Sequence, residues 1–215
     1  MSPCLVVIAK QPERGKVKTR IADVLGGEQA AELYRCALHD TLDLALSIED
    51  VVHVLSYAPP TDEGRRYFEQ AAPGFQLMPQ PGSTFGARLS GTFAQLLRSY
   101  APVVLIGSDS PDLPAAFITR AFALLRADED AVIGPAKDGG YYLLGMRSMH
   151  DSLFERIDWR TEVVLSQTRQ RAVDAGLHMA ELEDWHDVDT VGDLLTLVSP
   201  GAPLTRARVA AMNLR

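Results

Sequence analysis

The sequence contains very little cysteine, which limits the kinds of site it can build. Cys4 and Cys36 are its two cysteines in 215 residues, and neither stands at the spacing of a metal-binding motif. Cys4 lies in an apolar, strand-like run and Cys36 in a helical pattern, so we interpret both as buried, reduced thiols. A chain of this length buries enough surface to fold without covalent cross-links.

Long hydrophobic runs and an excess of positive charge are also missing. No segment approaches about 18 consecutive apolar residues, and the N-terminus lacks the basic and apolar regions of a signal peptide. We therefore expect a cytoplasmic protein without a membrane span. The 21 basic residues are outnumbered by 28 acidic ones, which gives a net charge of -7. This balance argues against nucleic-acid binding, which depends on Lys and Arg to neutralise phosphates.

The sequence does contain a regular alternation of apolar, β-rich runs with amphipathic helical patterns. The runs predict strands at 4–9, 50–57, 75–78, 102–107, 130–134, 141–145 and 178–182. The helical patterns lie at 28–48, 61–71, 86–99, 114–127, 161–175 and 190–198, and the stretch 205–213 is either a small helix or a frayed tail. This order predicts one α/β domain over residues 1–215, with helices on both faces of a mostly parallel sheet. Ligands of such sheets bind at the carboxyl ends of the strands.

A basic segment, residues 10–20, directly follows the first predicted strand. Five of its eleven residues are basic and one is acidic, although the chain is acidic overall. Lys and Arg side chains bind phosphate oxygens, and Gly15 lets the backbone approach a ligand closely. The alternative is a solvated loop without a ligand, but the position after the first strand favours phosphate binding. The segment is not a P-loop, because Lys10 stands where the first glycine of that motif belongs.

Asp109 follows the buried strand predicted at 102–107. A carboxylate in this position is poorly placed for a core and well placed for Mg²⁺, which proteins usually hold by one or two carboxylates plus substrate phosphates. The alternative is that Asp109 caps the next helix. Ser110 or Asp112 could fill that role, so we favour metal binding by Asp109.

Asp138 precedes two glycines, Gly139 and Gly140, and this pattern is typical first of all of a tight turn. The functional alternative is a loop whose backbone approaches a substrate, with Asp138 or Tyr141 in contact with it. Trp159 likewise has two interpretations, since it either lines a substrate pocket or packs in the core.

Asp187 and Asp189 form an acidic pair late in the chain. In an extended segment their side chains point to the same side, because side chains alternate along a strand. Two such carboxylates repel unless a cation lies between them, which indicates a metal. The alternative is helix capping by Asp189 or Thr190, and capping by Thr190 is compatible with metal binding by Asp189.

In their order along the chain, these motifs resemble those of one bacterial family. They read Lys10-x-Pro12-x-x-Gly15-x-Val17-Lys18-Thr19-Arg20, Gly107-Ser108-Asp109-x-Pro111, Gly134-Pro135-x-x-Asp138-Gly139-Gly140-Tyr141-Tyr142 and Asp187-Val188-Asp189-Thr190. They are similar to motifs of the GT-A-like proteins long classed as a domain of unknown function and described as radical-SAM/selenium-associated glycosyltransferases. The similarity runs from residue 5 to residue 198.

The resemblance implies the three-layer GT-A-like fold of the nucleotide-diphospho-sugar transferase superfamily, with Mg²⁺ or Mn²⁺ as cofactor. It implies that Asp109 and Asp189 bind the metal, with Asp187 as a weaker candidate. It also implies a nucleotide-binding set in which Lys18 and Arg20 contact the phosphates. That set comprises Lys10, Gly15, Lys18, Thr19, Arg20 and Arg88.

The resemblance places the acceptor beside the segment from Asp138 to Tyr141 and beside Trp159. Two parts of the sequence depart from the family pattern. The segment 82–88 keeps its glycines and Arg88 but has lost two acidic residues, and position 160 is Arg where a small hydroxyl residue is expected.

Three functions remain open from the sequence. The leading hypothesis is glycosyl transfer from a nucleoside-diphosphate sugar to a small-molecule acceptor, with Asp109 and Lys18 as catalytic residues. In the alternative, the same residues move a nucleoside monophosphate from a triphosphate to a phosphorylated metabolite. The third is a non-catalytic protein that binds a nucleotide or metabolite. Asp138 is a third candidate catalytic residue, no residue is assigned as general base, and the Leu-rich helices are compatible with a homodimer.

Overall fold

The structure, a computed structural model, describes residues 1–197 and 201–212. Its strands are β1 (Cys4–Lys10), β2 (Val52–Ala58), β3 (Gln76–Pro79), β4 (Val103–Ile106), β5 (Ala131–Pro135), β6 (Tyr141–Met146) and β7 (Met179–Glu181). They form one seven-stranded sheet in the order β3-β2-β1-β4-β6-β5-β7. The sheet is mostly parallel, as predicted, with β6 antiparallel to both of its neighbours.

Eight α-helices are described around this sheet. They are α1 (Thr19–Leu25), α2 (Gly27–Leu46), α3 (Asp62–Ala71), α4 (Phe85–Leu96), α5 (Ala115–Arg126), α6 (Val164–Asp174), α7 (Val191–Leu194) and α8 (Pro203–Ala211). A short 3-10 helix, Asp151–Phe154, precedes α6. No helix in residues 1–197 or 201–212 is long and apolar enough to cross a membrane.

The two faces of the sheet carry separate apolar cores, which confirms the predicted three-layer arrangement. Leu5 on β1 packs in a core that includes Leu38 of α2 and Ile118 of α5. The next residue along β1, Val6, packs in a second core with residues of α4 such as Phe93. Neighbouring residues serve opposite cores because side chains alternate across a strand, and strands covered on both faces read as continuous apolar runs.

Most predicted elements are present within a few residues of their predicted limits, but some details differ. The sequence pattern missed α1, so Thr19 and Arg20 begin a helix instead of continuing a loop. The stretch predicted as helix or frayed tail forms α8, which is helical over Pro203–Ala211. Val198 and Asn213, the last residues of two predicted helices, lie outside the described residues. Cys36 is half-buried rather than buried, whereas Cys4 is buried as expected.

A buried carboxylate holds α8 against α2. Asp40 of α2 accepts hydrogen bonds from the backbone N–H groups of Leu204 and Thr205, at 3.1 and 2.8 Å, and from the hydroxyl of Thr205 at 2.6 Å. The first N–H groups of a helix have no partner within the helix. Asp40 therefore satisfies hydrogen-bond donors at the start of α8. These hydrogen bonds in turn explain why the Asp40 carboxylate is tolerated in a buried position.

Candidate active site

Strands β1 and β4 run side by side and end at the same edge of the sheet. Val7 of β1 pairs with Ile106 of β4 in parallel register. The basic segment leaves β1 and Asp109 follows β4, so both enter the region where ligands of parallel sheets bind. A third segment joins them, because the N–H of Val188 donates to the carbonyl oxygen of Asp109 at 2.8 Å. The structure therefore brings the basic segment, Asp109 and the late acidic pair together.

Lys18 lies between two of the predicted metal ligands. Its ammonium group donates hydrogen bonds to Oδ1 of Asp109 and to Oδ1 of Asp189, the latter at 3.1 Å. The Lys18 side chain is 5% exposed, whereas those of Asp109 and Asp189 are 50% and 42% exposed. Burial acts to lower the pKa of Lys18, but the two carboxylates outweigh burial and raise that pKa above its usual range. Lys18 is therefore a fixed cation whose two acidic partners remain open to a ligand.

The backbone conformation just before α1 directs the Lys18 side chain toward the two aspartates. Lys18 is the residue before α1 and has left-handed backbone angles, with φ of 44° and ψ of 50°. Such angles are uncommon for a residue with a side chain and tend to occur at functional sites. Val17 and Ile21, on either side of it, are buried. Their burial anchors the turn, so that the intervening Lys18 side chain reaches across to the two aspartates.

Tyr34 of α2, a residue the sequence analysis did not select, connects the two strand ends. Its hydroxyl oxygen accepts a hydrogen bond from the N–H of Lys10 at 3.1 Å and lies 2.8 Å from the hydroxyl of Ser108. Burial, and then the charge of Asp109, raise the pKa of Tyr34 to about 12, so it stays protonated. Tyr34 belongs to the apolar stripe of its helix, and only its hydroxyl signals a role other than packing.

The two late aspartates occupy different surroundings. Asp189 contacts Lys18, whereas Oδ1 of Asp187 accepts a hydrogen bond from the hydroxyl of Ser110 at 2.5 Å. Burial, and then the charge of Asp109, raise the pKa of Asp187 to about 7. Thr190 caps α7 in a reciprocal arrangement with Asp193, so capping by Thr190 coexists with the contact of Asp189, as expected.

Asp138 forms the turn that its sequence pattern predicts. Its Oδ1 accepts a hydrogen bond from the N–H of Gly140 at 2.8 Å, and Gly139 has a left-handed φ of 90°. Asp138 is exposed, and its charge contributes to the raised pKa of Asp187, so it lies within electrostatic reach of the acidic group.

The hydroxyl of Tyr141 is not available to a ligand. The hydroxyl of Tyr141 is buried and has no hydrogen-bond partner within the described residues. Burial raises the pKa of this phenol above its usual range, and the ring packs against the core beneath α4. The expectation that Tyr141 lines the acceptor side stays a prediction, and any such contact would be made by its half-buried ring or backbone rather than by its hydroxyl.

Trp159 packs against the start of α4. Its ring and that of Phe85 meet edge to face, with centroids 5.5 Å apart. An added Cβ at Gly86 would come within 2.2 Å of the indole Nε1, so only glycine fits beneath the indole. Trp159 thus has a packing role, and Arg160 is the next residue along the chain.

The other predicted phosphate contacts lie on the basic segment and on α4, and the charges of Lys18 and Arg88 both act on Lys10. Lys10 ends β1, and Arg88 lies in the first turn of α4 and is half-buried. Gly15 has a left-handed φ of 75°, and Thr19 and Arg20 are exposed on α1. All of these side chains except that of Lys18 lack an ion pair within the part of the chain that the structure describes.

Metal binding by Asp109 and Asp189 stays a prediction, and their carboxylates are ligands of the kind that Mg²⁺ and Mn²⁺ accept. Both share one cation, the Lys18 ammonium, and both side chains are about half exposed. Among residues 1–197 and 201–212, no group of three or more His, Cys, Asp or Glu side chains could hold a metal alone. A metal here would therefore need oxygens from substrate phosphates, which is the usual mode for Mg²⁺.

Comparison with known proteins identifies the family of this chain. One protein-family model matches residues 41–161, more than half of the chain. The chain belongs to the DUF2064 family. That family is described as an uncharacterized protein conserved in bacteria. A solved structure of a candidate nucleotide-diphospho-sugar transferase from Desulfovibrio desulfuricans G20 is 34% identical, covers 100% of both chains and has a TM-score of 0.87.

Two further relatives of this DUF2064 protein carry names that specify a reaction. The 3-phospho-D-glycerate guanylyltransferase of Phenylobacterium zucineum (strain HLK1) is 30% identical over 133 residues, which is 61% of each protein. The match thus spans less than two thirds of that relative. The inositol-1-phosphate CTP transferase of T. maritima has a TM-score of 0.61 at 16% identity over 97% of this chain and 96% of its own. This second likeness shows a shared fold alone, and it extends the fold agreement to nucleotidyltransferases.

Proposed function

We propose that this DUF2064 protein is a nucleotidyltransferase, which moves a nucleoside monophosphate from a triphosphate to a phosphorylated small molecule. The observation that carries the proposal is Lys18, a buried cation between two half-exposed aspartates at the ends of β1 and β4. Phosphoryl-type transfer relies mainly on positioning and charge neutralisation, and this arrangement supplies both. The guanylyltransferase relative favours this reaction over glycosyl transfer, the leading hypothesis from the sequence.

The donor triphosphate binds along the basic segment and the neighbouring end of β1. Lys18 and Arg20 contact its phosphates, and Lys10 and Arg88 add positive charge from β1 and α4. Gly15 and Thr19 offer backbone and hydroxyl contacts in the same segment. The cations stabilise the negative charge that develops on the leaving pyrophosphate.

Asp109 and Asp189 would hold a divalent metal, with Asp187 as a further oxygen donor next to them. When bound, such a metal neutralises phosphate charge and orients the phosphates. The remaining contribution of these residues is positional: Tyr34 and Ser108 fix the end of β4, and the Val188–Asp109 hydrogen bond fixes the acidic segment against it.

The acceptor attacks through an oxygen of its own phosphate group. That oxygen forms a bond to the α-phosphorus while the bond from the α-phosphorus to the bridging oxygen breaks, and the electron pair leaves with pyrophosphate. A phosphate monoester is largely dianionic near pH 7, since its second pKa is about 6. The nucleophile therefore needs no general base, and Asp138 is free to serve as the turn residue that the structure shows.

A thermal-shift panel and a pyrophosphate-release assay test the proposal. The four nucleoside triphosphates and a set of nucleotide sugars would each be added with and without Mg²⁺ or Mn²⁺. A ligand at ~100 times its dissociation constant stabilises the native state by roughly 2.7 kcal/mol, which raises the melting temperature by several degrees. We expect a metal-dependent shift with one triphosphate, and its loss in Asp109→Asn.

Each outcome of the panel has a distinct meaning. Pyrophosphate release that requires both the stabilising triphosphate and a phosphate monoester supports nucleotidyl transfer. A shift with nucleotide sugars alone would return the assignment to glycosyl transfer. If no nucleotide shifts the melting temperature at millimolar concentration, the nucleotide site at Asp109 and Asp189 is wrong. Asp184→Asn, at an exposed carboxylate outside the site, is the matched control.

A further inference from the structure

The turn that contains Arg160 lies between two parts of the site. On one side Trp159 packs on Gly86, in the first turn of α4, two residues before Arg88. On the other side this turn meets the glycine turn that follows Asp138. Arg160 is therefore placed where the basic side of the site meets the side that borders the Asp138 turn.

The contact with the glycine turn is close and involves backbone atoms. An added Cβ at Gly139 would come within 2.1 Å of the carbonyl oxygen of Glu162. The N–H of Leu165 also donates to the carbonyl oxygen of Gly139 at 2.8 Å. These contacts hold the backbone around Arg160 in place, so its long side chain extends from a fixed point.

Arg160 also belongs to a group of positive charges without acidic partners. The pKa of the Lys10 ammonium is lowered, and burial is the largest cause. The positive charge of Arg160 is the next largest cause, and those of Arg88 and Lys18 contribute less. Asp109 acts in the opposite direction, but the pKa of Lys10 remains lowered. Within the described residues, Lys10, Arg88 and Arg160 form no ion pair.

A group of repelling cations indicates an anion that the protein is built to receive. Like charges disfavour one another's charged forms, and a phosphate placed among them reverses that effect. Arg160 adopts a left-handed φ of 69°, and its side chain is exposed.

We propose that Arg160 binds the phosphate group of the acceptor and so makes the site selective for phosphate monoesters. This inference rests on the nucleotidyl transfer proposed above, in which that phosphate is the nucleophile. A guanidinium group binds two phosphate oxygens in a bidentate manner. The third terminal oxygen of a monoester is then free to attack the α-phosphorus. The turn that carries Arg160 contacts the Asp138 turn, and the Arg160 charge acts on Lys10, where the basic segment that holds the donor begins.

Titration calorimetry on the full chain tests this role directly. The probes are 3-phospho-D-glycerate, unphosphorylated D-glycerate and inorganic phosphate, each with Mg²⁺ and an α,β-methylene triphosphate analogue. Arg160→Ala should weaken binding of 3-phospho-D-glycerate at least about tenfold, the loss expected for a charge-assisted hydrogen bond. The affinity of Arg160→Lys for 3-phospho-D-glycerate should lie between those of the unchanged protein and Arg160→Ala, because Lys offers a point charge without the bidentate fork.

Arg156→Ala is the matched control. Arg156 lies in the same stretch of chain, is exposed and also has a left-handed φ, of 53°. It lines a separate surface cleft with Ser152, Arg171 and Asp174. We expect Arg156→Ala to bind every probe as the unchanged protein does, and we expect affinity for the triphosphate analogue to be the same in all variants.

Two outcomes would overturn the role of Arg160. One is an unchanged affinity for 3-phospho-D-glycerate and inorganic phosphate in Arg160→Ala, or no binding of either probe by the unchanged protein. The other is an equal loss of triphosphate-analogue affinity, which would assign Arg160 to the donor. Failure of the proposed function is visible separately, because it appears as absent nucleotide binding whatever residue stands at position 160.

Discussion

Asp112 accepts a hydrogen bond from Nε2 of His186 at 3.1 Å, although its carboxylate is completely shielded from solvent. Its other oxygen accepts a hydrogen bond from the indole N–H of Trp185 at 3.2 Å. Asp112 lies just beyond β4, and the two donors directly precede Asp187. A buried carboxylate is tolerated only with such partners, and here the partners tie the late acidic segment to the end of β4.

Replacement of Asp112 by Ala should destabilise the protein and disturb the acidic segment. The change leaves the donors of Trp185 and His186 without a partner, and each buried unsatisfied group costs about 1–3 kcal/mol. Urea denaturation would measure the lower free energy of unfolding. Asp184→Ala, at an exposed neighbour, is the control. Equal stability of the two variants would show that the Asp112 hydrogen bonds do not anchor this segment.

Replacement of Lys18 by Met should affect metal binding and turnover in opposite directions. The ammonium of Lys18 occupies the space between Asp109 and Asp189, so it competes with any added cation for their oxygens. Without it, we expect tighter Mg²⁺ binding to the nucleotide-free protein, measured by calorimetry. Turnover should fall by roughly 10²–10³-fold, the loss typical of removing one preorganised charge-stabilising group.

Lys16→Met provides the control for that experiment. Lys16 lies in the same basic segment but is exposed and pairs with Glu13 at 2.6 Å. Its loss should leave Mg²⁺ affinity and turnover nearly unchanged. Mg²⁺ affinity that is equal in Lys18→Met and in the unchanged protein would contradict the competition between Lys18 and the metal.

Asp187 makes the stability of the metal-free protein depend on pH between about 4 and 7. Burial, then the Asp109 charge, raise its folded-state pKa from 3.8 to about 7. The unfolded chain therefore ionises first as pH rises, and stability falls through this window before levelling off above about 7. Asp187→Asn removes this term, so we expect it to gain stability relative to the unchanged protein as pH rises from 4 to 8.

Melting curves at several pH values, without metal, would measure that difference. Asn keeps an oxygen that can accept the hydrogen bond of Ser110, so packing changes little. Asp184→Asn, a change at an exposed carboxylate outside the site, is the control. A stability difference between Asp187→Asn and the unchanged protein that is constant over this range would mean that Asp187 titrates normally.

Strand ends were the most informative part of the sequence. The apolar runs of β1 and β4 were recognisable, and the rule that ligands bind at the carboxyl ends of parallel strands brought Asp109 and the basic segment together in the prediction. The direction of β6 was not predictable, because an apolar strand reads the same whether it runs parallel or antiparallel. The short helix α1 was not predicted, because a helix of seven residues has too few turns to produce a recognisable hydrophobic period.

Side-chain partners were the least predictable part. Lys18 was selected as a phosphate contact, but its bridge between Asp109 and Asp189 joins residues far apart in the chain. Tyr34 fits the 3.6-residue spacing of the buried face of α2, and this spacing predicts its burial. The spacing does not predict that its hydroxyl contacts Ser108. Such contacts depend on how separate elements dock, which local sequence patterns do not encode.

Replacement of Gly139 by Ala should cost more stability than the same change at Gly176. Both glycines have left-handed backbones, with φ of 90° and 66°, so each Ala carries a strain of about 1–2 kcal/mol. An added Cβ meets nothing within 4 Å at Gly176, but at Gly139 it would lie 2.1 Å from the carbonyl oxygen of Glu162. That clash adds about 1–3 kcal/mol to the cost of Gly139→Ala and displaces the turn that carries Arg160.

Chemical denaturation of both variants measures the difference in stability, and phosphate-monoester affinity should fall in Gly139→Ala alone. Equal losses of stability at the two positions would mean that the two turns are not in close contact, and the fixed placement of Arg160 would lose its support.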